Sequence, residues 1–162
     1  MKKILLIILL VPAFVFAQQS LPSVEIKSLD NSNFNTSQFE NNGNPIVISF
    51  WATWCKPCIL ELETINEVYE DWQDETGVKL IAISTDNIQK INDVKVKKDA
   101  DGWEYEVYID SNREFARAMI VRPIPHTFLL DGNKNIVWQH TGYSPGDEED
   151  LFDQIKKITN NK

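Results

Sequence analysis

Apolar and polar residues follow three rhythms along this chain, and each predicts a different kind of element. Two stretches are almost wholly apolar, Pro45-Ile46-Val47-Ile48-Ser49-Phe50-Trp51 and Val78 to Ser84 with Leu80-Ile81-Ala82-Ile83 at its centre. Such runs suit parallel strands covered on both faces. A period of three and four joins Cys58, Leu62, Ile65, Tyr69 and Trp72, tracing one stripe of a helix of about four turns that Gly77 ends. A second helical stripe, Leu151, Phe152, Ile155 and Ile158, opens behind Asp147-Glu148-Glu149-Asp150 and has Lys156 and Lys157 near its end. Acids first and bases last suit the helix dipole, so the acidic run reads as a helix start and not as an interaction tail. Alternation marks Val24 to Leu29 and Trp103 to Ile109 as strands.

The connections follow from turn chemistry. Asp131-Gly132-Asn133-Lys134-Asn135 between Thr127–Leu130 and Ile136–Gln139 is a hairpin signal, so the last two strands are expected to be antiparallel. Asp86 is placed to cap a helix running to about Lys97, and Arg113 to Met119 reads as a shorter helix. Near the start, Asp30-Asn31-Ser32-Asn33 reads as a turn and Phe34 to Phe39 as a returning strand; the asparagine-rich stretch 31–44 equally suits a loose linker. The sum is an α/β domain with a central mixed sheet flanked by helices, without internal repeats or a second domain.

Met1 to Ala17 has a basic start in Lys2 and Lys3, an apolar run from Ile4 to Phe16, and a small residue before Gln18-Gln19-Ser20. It reads as a secretory signal cleaved after Ala17, leaving residues 18–162 as one domain; the alternative is a leader retained as an anchor. Cleavage removes two lysines and deepens a formal net charge of -8. That acidity argues against nucleic acid and against an anionic membrane surface as partners. Export sets an oxidising context in which a dithiol needs something to reduce it.

The chain's two cysteines, Cys55 and Cys58, stand where the first apolar strand gives way to the first helix. Unpaired N–H groups and the positive end of the helix dipole favour a thiolate at Cys55, the reactive form. A purely structural bridge over so short a loop would remove little unfolded-state entropy, about 2 kcal/mol against about 3 for fifteen residues. Zinc would need two more ligands, and the only histidines, His126 and His140, are too far apart in sequence for a finger. A copper(I) module using Cys55, Cys58 and His126 is a further alternative. Thiol-disulfide exchange fits best: Cys55 attacks as nucleophile and Cys58 resolves. Lys56 adds a cation beside the thiolate or is simply a solvated lysine, and Pro57 restricts the entry to the helix without losing a needed N–H.

Here the chain resembles the thioredoxin superfamily, and within it the TlpA/ResA-like extracytoplasmic thiol-disulfide oxidoreductases. The resemblance rests on Phe50-Trp51-Ala52-Thr53-Trp54-Cys55-Lys56-Pro57-Cys58 and Val121-Arg122-Pro123-Ile124-Pro125-His126-Thr127-Phe128-Leu129-Leu130-Asp131, and covers about residues 24–160. It implies a thioredoxin-like fold with an N-terminal β-hairpin and a helix–strand insertion before a cis Pro125. It further implies that the Pro125 loop lies against Cys55, that the Ile124 backbone pairs with an incoming client strand, and that Trp54 and Trp51 supply apolar surface there. Cytoplasmic thioredoxins carry an aspartate where this chain has Ser49; the resemblance points instead to Glu61 as the proton-transfer group for Cys58. Otherwise Glu61 belongs to an acidic outer face with Glu63, Glu67 and Glu70. Implied partners are disulfide-bearing client proteins and a membrane thiol-disulfide reductase or other electron donor, with no cofactor, no metal and a monomeric state. The implied direction is reduction, often in cytochrome c maturation; disulfide donation and peroxide reduction are the other enzymatic readings.

Overall fold

The computed structural model describes residues 19–160; the leader read at Met1–Ala17 lies outside them. Seven strands form one mixed sheet in the order β2-β1-β5-β4-β3-β6-β7. Every residue of β3 (Ile46–Trp51) is buried, as an unbroken apolar run requires. β4 (Lys79–Ser84) pairs with it in parallel and β6 (His126–Leu130) antiparallel. β5 (Glu106–Ile109) continues the parallel side, and β7 (Ile136–Thr141) the antiparallel side. The hairpin of β1 (Glu25–Ser28) and β2 (Asn33–Asn35) joins the far edge through β1 against β5. Ahead of it, Ser20 makes an isolated bridge to Asn135, while Ile136 donates its N–H to the Gln19 carbonyl and Leu21 to that of Lys134.

Alternation along β3 divides the core. Val47 and Trp51 face α1 (Lys56–Thr76) and α4 (Asp147–Thr159), which bury Leu62, Ile65, Trp72, Leu151 and Ile155 on that side. Trp72 lies flat on Phe152 at 4.8 Å. Ile46, Ile48 and Phe50 face α3 (Glu114–Ala118) and the N-terminal hairpin, meeting Phe39, Phe115 and Phe128. α2 (Ile91–Ala100), the inserted helix, buries Val94 with the first group.

Four expectations change on this scaffold. The returning strand stops at Asn35, because the Asn35 side chain accepts the Ser37 N–H and Thr36 Oγ1 is tied to the Pro22 carbonyl, turning Thr36–Gln38 into a single 3-10 turn that buries Phe39. Residues 31–44 are therefore structured. The strand expected from Trp103 begins only at Glu106, since the Trp103 N–H bonds to the Lys98 carbonyl, leaving Trp103 and Tyr105 as core residues on the approach. Asp86 caps no helix: Asn87 caps a 3-10 turn, Ile88–Lys90, that leads into α2, and the Asp86 carboxylate turns inward. Trp51 is wholly buried edge-on to Trp103 and offers no surface to a client.

Two further features shape the approach to the Pro125 loop. The buried Asp110 carboxylate accepts the N–H groups of Phe115 and Ala116 and so caps α3 from outside the helix. The helix then ends with Ile120 at φ 60, the Val121 N–H reaching back to the Ala116 carbonyl at 2.8 Å. A left-handed residue at this place is ordinarily Gly or Asn; a β-branched residue there is destabilised by roughly 1–2 kcal/mol.

Candidate active site

β3 ends at the buried Trp51, and the next three residues make the turn that presents the cysteines. Cys55 donates its N–H to the Ala52 carbonyl at 3.0 Å. The Asp86 carboxylate grips the turn from β4, accepting the Thr53 N–H at 2.8 Å, Thr53 Oγ1 at 3.0 Å and Ser84 Oγ at 2.8 Å. Cys55 stands at the N-cap of α1, where Pro57 falls in the first turn and lacks only an N–H that would have had no helical partner.

Cys55 and Cys58 form a disulfide with Cα atoms 5.3 Å apart. Cys58 is completely buried, whereas Cys55 keeps 5% of its surface. Lys56 and Pro57 are exposed, and Trp54 is 71% exposed beside them. The Ile124–Pro125 bond is cis, and the Ile124 carbonyl oxygen lies 3.8 Å from Cys55 Sγ. Neither the N–H nor the C=O of Ile124 enters a backbone hydrogen bond among the described residues. Pro125 is anchored behind it, its carbonyl accepting the Gly142 N–H at 2.8 Å.

Beneath Cys58, one turn further into α1, lies Glu61, 4% exposed and therefore not part of the acidic outer face. Ser49 on β3 and Thr127 on β6 are directly paired across the sheet, and both hydroxyls donate to this carboxylate, Ser49 Oγ at 2.9 Å and Thr127 Oγ1 at 2.7 Å. Burial pushes the Glu61 carboxyl up to about 7, against the two hydroxyl donors, which pull it down. His140, opposite Thr127 on β7, adds a lowering influence and Asp147 a raising one; the two lie 3.3 Å apart. A neutral-range carboxyl next to a buried sulfur is equipped to take up or return a proton.

The other histidine points elsewhere. His126 packs flat on Phe128 at 4.3 Å on the opposite face of the sheet from Glu61, with Nε2 3.1 Å from Gln139 Oε1; burial lowers its pKa. Its ring thus serves the α3-side core and does not converge on the cysteines. The sequence reading missed Thr127 and the bracing by Asp86, and noted Ser49 only as a departure from thioredoxins. One signal was present: a lone serine in an otherwise apolar, fully buried strand needs a polar partner.

The sequence matches the AhpC/TSA family over residues 17–139. It is 31% identical over 150 residues to the thiol-disulfide oxidoreductase ResA of Bacillus thuringiensis (strain Al Hakam), covering 91% of this chain and 76% of that protein. Among solved structures, a thioredoxin-like protein from Porphyromonas gingivalis superposes with a TM-score of 0.78 at 50% identity, covering 86% of this chain and 92% of its own. A candidate thiol:disulfide interchange protein, DsbE, from Chlorobium tepidum gives 0.76 at 25% identity over 88% and 96%.

Proposed function

Because the chain belongs to the AhpC/TSA family and is a thioredoxin-like thiol-disulfide oxidoreductase, we propose that it works outside the cytoplasm, reducing disulfides of exported proteins, apocytochromes c among them. Residues 1–17 serve as its export signal, and residues 18–162 form the redox domain. The observation that carries the reading is the Cys55–Cys58 disulfide at the start of α1, with Cys55 Sγ against the Ile124 carbonyl and neither Ile124 backbone group in a backbone hydrogen bond among the described residues.

The reaction begins with the reduced dithiol, supplied by a membrane thiol-disulfide reductase or another thiol donor. A client chain lies extended along Ile124, pairing with its N–H and C=O, while Trp54 covers the exchange from the side. The Cys55 thiolate, favoured by the start of α1, attacks one client sulfur; a Cys55–client disulfide forms and the other client sulfur leaves as a thiolate. Glu61 then accepts the Cys58 proton. The Cys58 thiolate attacks Cys55 Sγ, forming the intramolecular disulfide and releasing the second client thiolate. Two electrons pass from the dithiol to the client. Lys56 stabilises charge at the mouth, and Pro57 fixes the turn.

Trapping tests the proposal. Cys58→Ser expressed in its own cells is expected to accumulate exported proteins as mixed disulfides on Cys55, released by reductant. Recovery of none, together with tight stoichiometric copper(I) retention and no reduction of insulin by the parent protein, would replace it with the metal-binding reading.

A further inference from the structure

Among the described residues, three large apolar side chains are about two-thirds exposed or more: Trp54 at 71%, Val96 at 66% and Ile120 at 65%. Single exposed apolar residues are ordinary, and Val96 on the outer side of α2 is one of these. Ile120 differs in two respects. It holds a left-handed backbone at φ 60 that its β-branched side chain disfavours, and in return it buries little within its own chain. Glycine would relieve the strain and forfeit almost no packing. Strain kept for a side chain with no internal task marks a group that acts on something outside the fold.

Its position says what that is. Trp54 directly precedes Cys55, and Ile120 stands four residues before Ile124, whose carbonyl touches Cys55 Sγ. Four residues of chain reach at most about 14 Å, the span of roughly four residues in an extended client. We propose that Ile120 and Trp54 form an apolar docking surface flanking the disulfide, which selects extended client segments bearing an aliphatic or aromatic side chain within about four residues of the attacked cysteine. This rests on the thiol-disulfide reading above and names the client class of that same site.

The test uses the reduced full domain and two ten-residue peptides, each carrying thionitrobenzoate on a single cysteine as a mixed disulfide. One has leucines and the other serines at the second to fourth positions from the cysteine. Attack by Cys55 on the peptide sulfur forms the protein–peptide disulfide and expels the thionitrobenzoate thiolate, which is read by absorbance. The parent is expected to favour the leucine peptide by roughly tenfold, chiefly through KM. Ile120→Gly should shrink that preference below about threefold while raising Tm by about 3 °C, and Ile120→Val should keep the preference. Val96→Ser should change neither. A lowered Tm in Ile120→Gly would make Ile120 a packing residue and overturn the proposal, as would an undiminished preference in that variant or equal use of both peptides by the parent. No chromophore release from either peptide would instead overturn the thiol-disulfide reading, and this proposal with it.

Discussion

The buried Glu61 carboxyl is proposed to link protonation to both turnover and stability. Burial raises Glu61 from its ordinary 4.5 to about 7, so the folded chain holds that proton more tightly than the unfolded chain between these values. Its contribution is fully present below about pH 4.5 and is lost as pH rises through about 7, a span of about 3 kcal/mol. Glu61→Gln removes this dependence. Thermal unfolding of the oxidised pair from pH 4 to pH 8 is expected to show the variant gaining on the parent as pH rises, then a constant difference above about pH 7. In the reduced protein, release of the second client thiol should speed up through about pH 7 in the parent. The variant should lose that inflection and run about a hundredfold slower at neutral pH. The two sulfurs should also differ. With Cys58 sealed and Cys55 at the helix start, iodoacetamide is expected to label Cys55 far faster, as mass spectrometry of the two peptides would show; equal labelling would contradict the nucleophile assignment.

Between neighbouring elements, the Asp86 carboxylate holds the end of β4 to the Thr53 turn through three hydrogen bonds. Asp86→Ala strands these donors and should destabilise the domain by about 2–3 kcal/mol, visible in denaturant unfolding, while hydrogen exchange at the Thr53 amide accelerates. This brace also shows where the sequence stops being legible. The strands at 46–51 and 79–84, the long α1 and the final hairpin carry strong periodic patterns and were readable, as was the placement of Cys55 at a helix start. Asp86 was misread because an aspartate ahead of a helical stretch suits capping, and its partner Thr53 lies 33 positions away in sequence. The same holds for Glu61: its spacing from Cys58 placed it near the sulfur, but the fork of Ser49 and Thr127 exists only because β3 and β6 pair in one register. Local hydrogen bonds cut β2 and β5 short, and no periodicity registers those. The backbone of Ile120 was equally hidden, since isoleucine carries no signal for a left-handed turn.

For the molecule as a whole, one modest number decides direction: for a two-electron couple about 30 mV is worth a tenfold change in the equilibrium constant. The proposed reductant role requires a potential nearer thioredoxin's than that of a strong oxidant, so equilibration of the Cys55–Cys58 pair in glutathione buffers is expected to give a value below about -150 mV. A higher value would make this chain a disulfide donor. Geometry adds a condition on where such exchange takes place. β3 runs towards Cys55 and β6 runs back, so the turn after Leu130 lies at the opposite pole of the sheet, roughly 20 Å from the disulfide. Gln19 and Leu21 are fastened beside that turn. The described chain thus starts at the pole farthest from its sulfurs, and the face that carries Cys55 lies clear of Gln19, open to large clients arriving from free solution.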